Sequence, residues 1–230
     1  MARAASIPGM SRRVGVVQFP GSCDERDAVH ALRLVGGEPE LLWHADADLR
    51  GVDAVVVPGG FTYGDYLRAG ALARFAPIMG AVAQFAAEGG PVLGICNGFQ
   101  VLCEARLLPG ALTENATLRF VHREVRVRIE AATPWSGDLA PGATLQVPIK
   151  HGEGRYVHPD PDGLAAAGQV WLRYDDANPN GSVADIAGVT SAAGNVAGLM
   201  PHPEHAVDPV LGGTDGRALL AAASPAATHA

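Results

Sequence analysis

Pro91-Val92-Leu93-Gly94-Ile95-Cys96-Asn97-Gly98-Phe99-Gln100 is the stretch that decides the fold. Its apolar run, Val92 to Ile95, reads as a buried strand. Gly94 and Gly98 bracket Cys96, and the residues from Phe99 to Arg106 continue with helical spacing. The pattern is strand, tight turn with a cysteine at its tip, then helix. It is a Gly-x-nucleophile-x-Gly elbow with cysteine in the serine position. A reactive side chain stands out at such a tip only if the backbone bends sharply and its neighbours leave room, which glycine allows. The N-terminus of the following helix favours a thiolate at Cys96 through its free N–H groups and dipole. The competing reading is a buried structural cysteine between two convenient glycines, and the elbow alone does not decide.

Upstream of the elbow, Val14 to Phe19 reads as a first buried strand ending in the turn Pro20-Gly21-Ser22. Asp24 to Val35 follows as a helix with an acidic start, as the helix dipole prefers. Pro39 to Trp43 and Val52 to Val57 read as second and third strands. Continuous apolar strands alternating with helices predict a parallel sheet covered on both faces. The loop Pro58-Gly59-Gly60-Phe61-Thr62-Tyr63-Gly64-Asp65-Tyr66 leaves the C-terminal end of the third strand, the edge where open α/β sheets bind ligands. Adjacent glycines let backbone N–H groups approach a bound oxygen, as in an oxyanion hole. A flexible turn is the alternative. Leu67 to Ala87 reads as one helix with Pro77 as a break or kink.

Downstream of the elbow, the texture changes. Arg119 to Ile129 alternates apolar and charged residues, which predicts a half-exposed antiparallel strand. Thr144 to Ile149, Val170 to Tyr174 and Val196 to Met200 read as further strands. The fold class expected is therefore α/β: a single domain over 14–220, with a mostly parallel central sheet flanked by helices and an antiparallel or mixed portion. Residues 1–13 are expected as a flexible extension and 221–230 as a frayed tail.

The last strand runs into Pro201-His202-Pro203-Glu204-His205. In an extended segment His202 and Glu204 share a face, with Pro203 turned away. A carboxylate beside a histidine fixes its tautomer and steadies the imidazolium. The expected constellation is a Cys96–His202–Glu204 triad. A metal site built from Cys96, Cys103, His202 and His205 matches no common zinc spacing, and none is expected. Cys103 reads as a core residue. Cys23 lies beside Asp24, whose charge disfavours a thiolate. His205 reads as a surface neighbour of the pair, and His30, His44, His122 and His158 as structural or solvated. Lys150-His151-Gly152-Glu153-Gly154-Arg155 reads either as pocket lining or partner contact, or as a plain surface turn.

Composition bounds the function. The chain has 230 residues, a formal net charge of -7 and no basic cluster, which argues against nucleic-acid binding. Three cysteines form no CxxC and no even framework, consistent with a reducing cytoplasm. No apolar run reaches the ~20 residues of a membrane span, and the N-terminus lacks the apolar core of a secretory signal. Neither a GxxxxGK[ST] nor a GxGxxG loop occurs, so no nucleotide cofactor is expected in this chain.

With the elbow and the His-Pro-Glu segment together, the chain resembles the class I (triad) glutamine amidotransferases. Gly94-Ile95-Cys96-Asn97-Gly98-Phe99-Gln100 matches that family's nucleophile motif, and Pro201-His202-Pro203-Glu204 its His/Glu motif. More narrowly, it is similar to the glutaminase subunits of phosphoribosylformylglycinamidine synthases. That likeness rests on Gln18-Phe19-Pro20-Gly21-Ser22, on the run from Pro58 to Gly70, and on Lys150 to Arg155. It extends from about Val14 to about Leu220. The turn after Ser22 departs from it, with Cys-Asp-Glu where an asparagine is expected first.

The resemblance implies a flavodoxin-like sheet and a Cys96 thioester with glutamine. It implies His202 as proton carrier and Glu204 as its support. Gly59, Gly60 and Asn97 would supply the oxyanion hole, with Gln100 beside the substrate. It also implies a synthetase subunit that holds ATP and magnesium, and a small accessory subunit. Two other functions remain open from sequence: a glutaminase serving another synthetase, and a redox or chaperone protein with an elbow cysteine.

Overall fold

The computed structural model describes residues 12–223. In chain order the elements are β1 (Arg13–Gln18), α1 (Glu25–Leu34), β2 (Glu38–Trp43), β3 (Ala54–Val57), α2 (Pro77–Ala87), β4 (Val92–Ile95) and α3 (Asn97–Glu104). They continue as β5 (Ala111–Thr113), β6 (Val121–Ile129), β7 (Thr144–His151), β8 (Arg155–Val157), α4 (Pro161–Ala166), β9 (Val170–Tyr174), β10 (Ile186–Thr190), β11 (Val196–Leu199) and α5 (Gly216–Ala221). Nine strands form one sheet in the order β2-β1-β3-β4-β11-β10-β9-β6-β7, and β5 pairs with β8 apart from it.

The half of the sheet from β2 to β11 is parallel. From β11 outward to β7 every pairing is antiparallel. This is the expected α/β sheet with its antiparallel portion. The parallel half is wound in the flavodoxin-like manner: the chain moves outward from β1 to β2, then crosses to β3 on the other side. That reversal opens a crevice beyond the carboxyl ends of the strands. The turns after β1, β3, β4 and β11 all emerge at this edge.

The strands of the parallel half are apolar because both faces are covered. Val14, Val16, Val17 and Val55 to Val57 are all fully buried. Helix α1 turns Ala28, Ala31 and Leu32 into the core. Removing a buried leucine such as Leu32 to alanine costs about 2–5 kcal/mol. Trp171 on β9 is also fully buried, and its indole N–H donates to the Gly198 carbonyl at 3.2 Å.

Three expectations change. The single helix over Leu67 to Ala87 is absent: residues 67–76 form a loop with one 3-10 turn at Ala73–Phe75, and α2 starts at Pro77. Proline has no N–H to lose at the first helical position. It also holds the preceding Ala76 extended, with ψ 142°. Strand β10 was not foreseen, because its five buried residues, Ile186 to Thr190, include a glycine and show no alternation. The terminal boundaries shift slightly. Most of the expected extension and tail lies outside the described residues, but Arg13 already opens β1, Ala221 closes α5 and Ala223 is fully buried. Among the described residues no helix is long and apolar enough to cross a membrane.

Candidate active site

Cys96 sits between β4 and α3 with φ 49° and ψ -104°. This positive φ is uncommon for a side chain larger than glycine and is retained where the surroundings enforce it. Those surroundings are tight. The Cys96 N–H donates to the Leu199 carbonyl at 2.8 Å, which fixes the elbow to the end of β11. A Cβ at Gly98 would lie 1.8 Å from the Val57 carbonyl oxygen, so α3 approaches β3 as closely as it does only with glycine there. The thiol is buried and lies 3.9 Å from the Lys150 carbonyl oxygen on β7.

His202 follows β11, and its N–H donates to the Pro148 carbonyl of β7 at 2.8 Å. Its Nδ1 lies 2.6 Å from Glu204 Oε1, with both side chains buried. The pairing expected from sequence holds, but the reason differs. The segment is not extended: Pro203–His205 forms a 3-10 turn that brings the carboxylate back onto the imidazole. His202 Nε2 is buried and has no hydrogen-bond partner among the described residues. Burial alone would depress the pKa of His202. The Glu204 carboxylate, with Cys96 beside it, outweighs burial and raises the value to about 10. The buried ring therefore favours its protonated form.

A cavity of roughly 110 Å³ opens at Cys96, and Gly60, Phe61, Asp65, Gln100 and Lys150 to Glu153 contribute to its lining. The Lys150 to Glu153 segment is therefore pocket wall. Asn97 is the first residue of α3, where N–H groups have no partner within the helix. Its side chain accepts from the Thr62 N–H at 3.1 Å, anchoring the glycine-rich loop, and donates to Gln100 Oε1 at 2.8 Å. Gln100 Nε2 in turn donates to the Glu153 carbonyl at 2.6 Å. Asp65 reaches this chain through Asn97 Nδ2 at 3.3 Å. Burial and the nearby Glu153 charge raise its pKa to about 6. A larger, more open depression of about 510 Å³ between Arg13, Arg33, Glu38 and Glu40 holds no nucleophile.

Sequence alone reads Asp24 as the acidic start of the first helix and as a neighbour of Cys23, not as a site residue. Its carboxylate is buried and meets Lys150 Nζ at 2.5 Å and His205 Nε2 at 3.3 Å. Its Oδ2 lies 3.6 Å from His202 Nδ1. Burial opposes its charge, but His205, His202 and Lys150 together hold its pKa well below the usual carboxylate range. Polar atoms of Asp24, His202, Glu204 and His205 lie within 4.8 Å of one another. A metal ion there would have to displace Lys150 from Asp24 and take Nδ1 from Glu204.

Cys103, Cys23, His44 and His151 lie outside the Cys96–His202–Glu204 group. Burial raises the pKa of the Cys103 thiol, and it packs in the core against the Pro109 carbonyl. Cys23 is exposed, its pKa raised by partial burial and by Asp24. His44 pairs with the Tyr63 hydroxyl at 2.8 Å. His151 is buried against Asn115 at 3.0 Å, and burial lowers its pKa to about 4.

The model of the CobB/CobQ-like glutamine amidotransferase domain matches residues 11–214. The chain belongs to this amidotransferase family. The amidotransferase is similar to the phosphoribosylformylglycinamidine synthase subunit PurQ of Rubrobacter xylanophilus, at 62% identity over 212 residues, or 90% of this chain and 96% of that protein. The subunit PurQ of Mycobacterium tuberculosis is 60% identical over 209 residues, covering 90% and 93%. A chain of the PurLQS structure from Thermotoga maritima superposes with a TM-score of 0.87 at 42% identity, covering 93% of this chain and 98% of that one. Another glutamine amidotransferase from Thermotoga maritima shares the fold, with a TM-score of 0.58 at 16% identity over 85% of this chain and 77% of that one.

Proposed function

We propose that this amidotransferase is the glutaminase subunit of a phosphoribosylformylglycinamidine synthase, acting in purine biosynthesis in the cytoplasm. The observation that carries the reading is the 62% identity to a PurQ subunit across nearly the whole of both chains. The buried His202–Glu204 pair and the strained Cys96 elbow supply chemistry that fits it.

Cys96 Sγ attacks the side-chain amide carbon of glutamine, and the C–N bond breaks. His202 gives its proton to the departing nitrogen, so ammonia leaves and a glutamyl thioester remains on Cys96. Water then attacks the thioester. His202 takes the water's proton and passes it back to the cysteine sulfur as glutamate departs. The oxyanion of each tetrahedral intermediate is received by backbone N–H groups of the Gly59-Gly60 loop and of Asn97. Gln100 braces the pocket wall that holds the substrate. Ammonia passes to a synthetase subunit, which with ATP and magnesium converts formylglycinamide ribonucleotide to its amidine. A small accessory subunit completes the complex.

The test is Cys96→Ala in the assembled complex. Synthesis from glutamine should vanish while synthesis from added ammonia persists. Loss of both would assign Cys96 a structural role. Recovery of a different synthetase from native extract would redirect the ammonia to another product.

A further inference from the structure

Asp24 is only 3% exposed, yet it carries a charge. A buried carboxylate is costly unless paired, and Lys150 Nζ at 2.5 Å supplies the pairing. The location of the pair is informative. Asp24 Oδ2 lies 3.6 Å from His202 Nδ1, on the ring atom that Glu204 also faces. Lys150 reaches both halves of the site: its carbonyl faces the Cys96 thiol at 3.9 Å and its ammonium holds Asp24. Gly59 makes the approach possible. A Cβ there would lie 2.3 Å from Asp24 Oδ2 and 2.7 Å from His202 Cε1. The turns after β1, β3 and β11 and the end of β7 thus converge on one carboxylate beside the catalytic ring.

We infer that Asp24 is a positioning residue for His202, and that the Asp24–Lys150 pair is a charge clamp setting how firmly the imidazole keeps its proton. The inference rests on the glutaminase reading of Cys96, His202 and Glu204. The charged and titratable groups facing His202 are Glu204 and His205 from its own turn, Asp24 from the turn after β1, His151 from β7 and Cys96 from the elbow, with the Lys150 ammonium of β7 on Asp24. Glu204 is the nearest and makes the hydrogen bond. Asp24 adds a second negative charge that Lys150 largely offsets.

The two members of the clamp therefore act with opposite sign. Asp24→Asn removes the nearest counter-charge of the Lys150 ammonium, so the imidazolium is disfavoured and its pKa falls. Lys150→Met leaves the Asp24 carboxylate with only the His205 and His202 rings beside it, so the imidazolium is favoured and its pKa rises. The double variant removes both charges and returns the ring towards its original field.

The experiment is the pH profile of kcat/KM for glutamine hydrolysis in the complex with the synthetase, for the native chain, both single variants and the double variant. The alkaline limb reports the acid form of the free enzyme. It should move down by about one pH unit in Asp24→Asn and up by a similar amount in Lys150→Met. In the double variant it should return to near its native position. Limbs that coincide, or move the same way in both single variants, would overturn the clamp. If Asp24→Asn does not assemble, NMR titration of His202 in Lys150→Met against Lys150→Arg decides. An upward shift with methionine alone supports the clamp, and equal values in the two overturn it. A native complex without glutaminase activity would overturn the functional reading itself. Normal native turnover with coincident limbs would remove only the role of Asp24.

Discussion

Glu204 Oε1 lies 2.6 Å from His202 Nδ1, and neither side chain is open to solvent. The carboxylate holds Nδ1 and leaves Nε2 without a partner among the described residues, and its charge keeps the imidazolium favourable despite burial. Glu204→Gln preserves an accepting oxygen and removes the charge. The imidazolium pKa then falls, and less of the ring carries its proton at neutral pH. Glutamine hydrolysis should drop by about 10²–10⁴-fold, with melting temperature little changed. Steady-state kinetics beside a thermal melt separates the two effects.

Gly98 meets the Val57 carbonyl at a distance no Cβ could tolerate. Gly98→Ala must push α3 away from β3, at a cost of about 1–3 kcal/mol from overpacking. Because the elbow is tied to both elements, activity should fall with stability. Denaturant unfolding of the variant measures the first, and the glutaminase rate the second.

Asp65 lines the cavity with a pKa raised to about 6 by burial and by Glu153. A carboxyl whose folded pKa lies above its unfolded value binds its proton more tightly in the folded chain. Its ionisation therefore opposes folding as pH rises through that value. Asp65→Asn keeps an oxygen for Asn97 Nδ2 and removes the charge. The substitution should raise the melting temperature at about pH 8 and leave it nearly unchanged at about pH 4, where the native residue is already protonated. A melt series across that range checks the sign.

A glutaminase acting without its synthetase would waste glutamine. Turnover by the isolated chain should be low and should rise on addition of the synthetase with its nucleotide bound. Equal rates with and without the partner would contradict this coupling.

The parallel half of the sheet was legible because β1, β3 and β4 are short, continuous apolar runs bounded by glycine and proline turns. The elbow was legible because its glycines sit at the two positions where no side chain fits. Pro77 misled because proline both breaks a helix and starts one, and only the extended Ala76 before it tells which. The His202–Glu204 pair was found by alternate spacing, although a 3-10 turn makes the contact. Asp24 was hidden because its partners, Lys150 and His205, lie 126 and 181 residues away. No local pattern records a contact made by folding. The same holds for the Asn97–Gln100–Glu153 chain that joins the elbow to the pocket wall.

The central claim is that Cys96 is the nucleophile for glutamine. Its most direct test is to treat the chain, alone and with the synthetase, with a glutamine-like electrophile, with and without glutamine as protector, and to locate the adduct by peptide mass spectrometry. A single adduct on Cys96 that glutamine blocks is the expected result. Labelling spread over Cys23 and Cys103, or indifferent to glutamine even with the synthetase present, would contradict it.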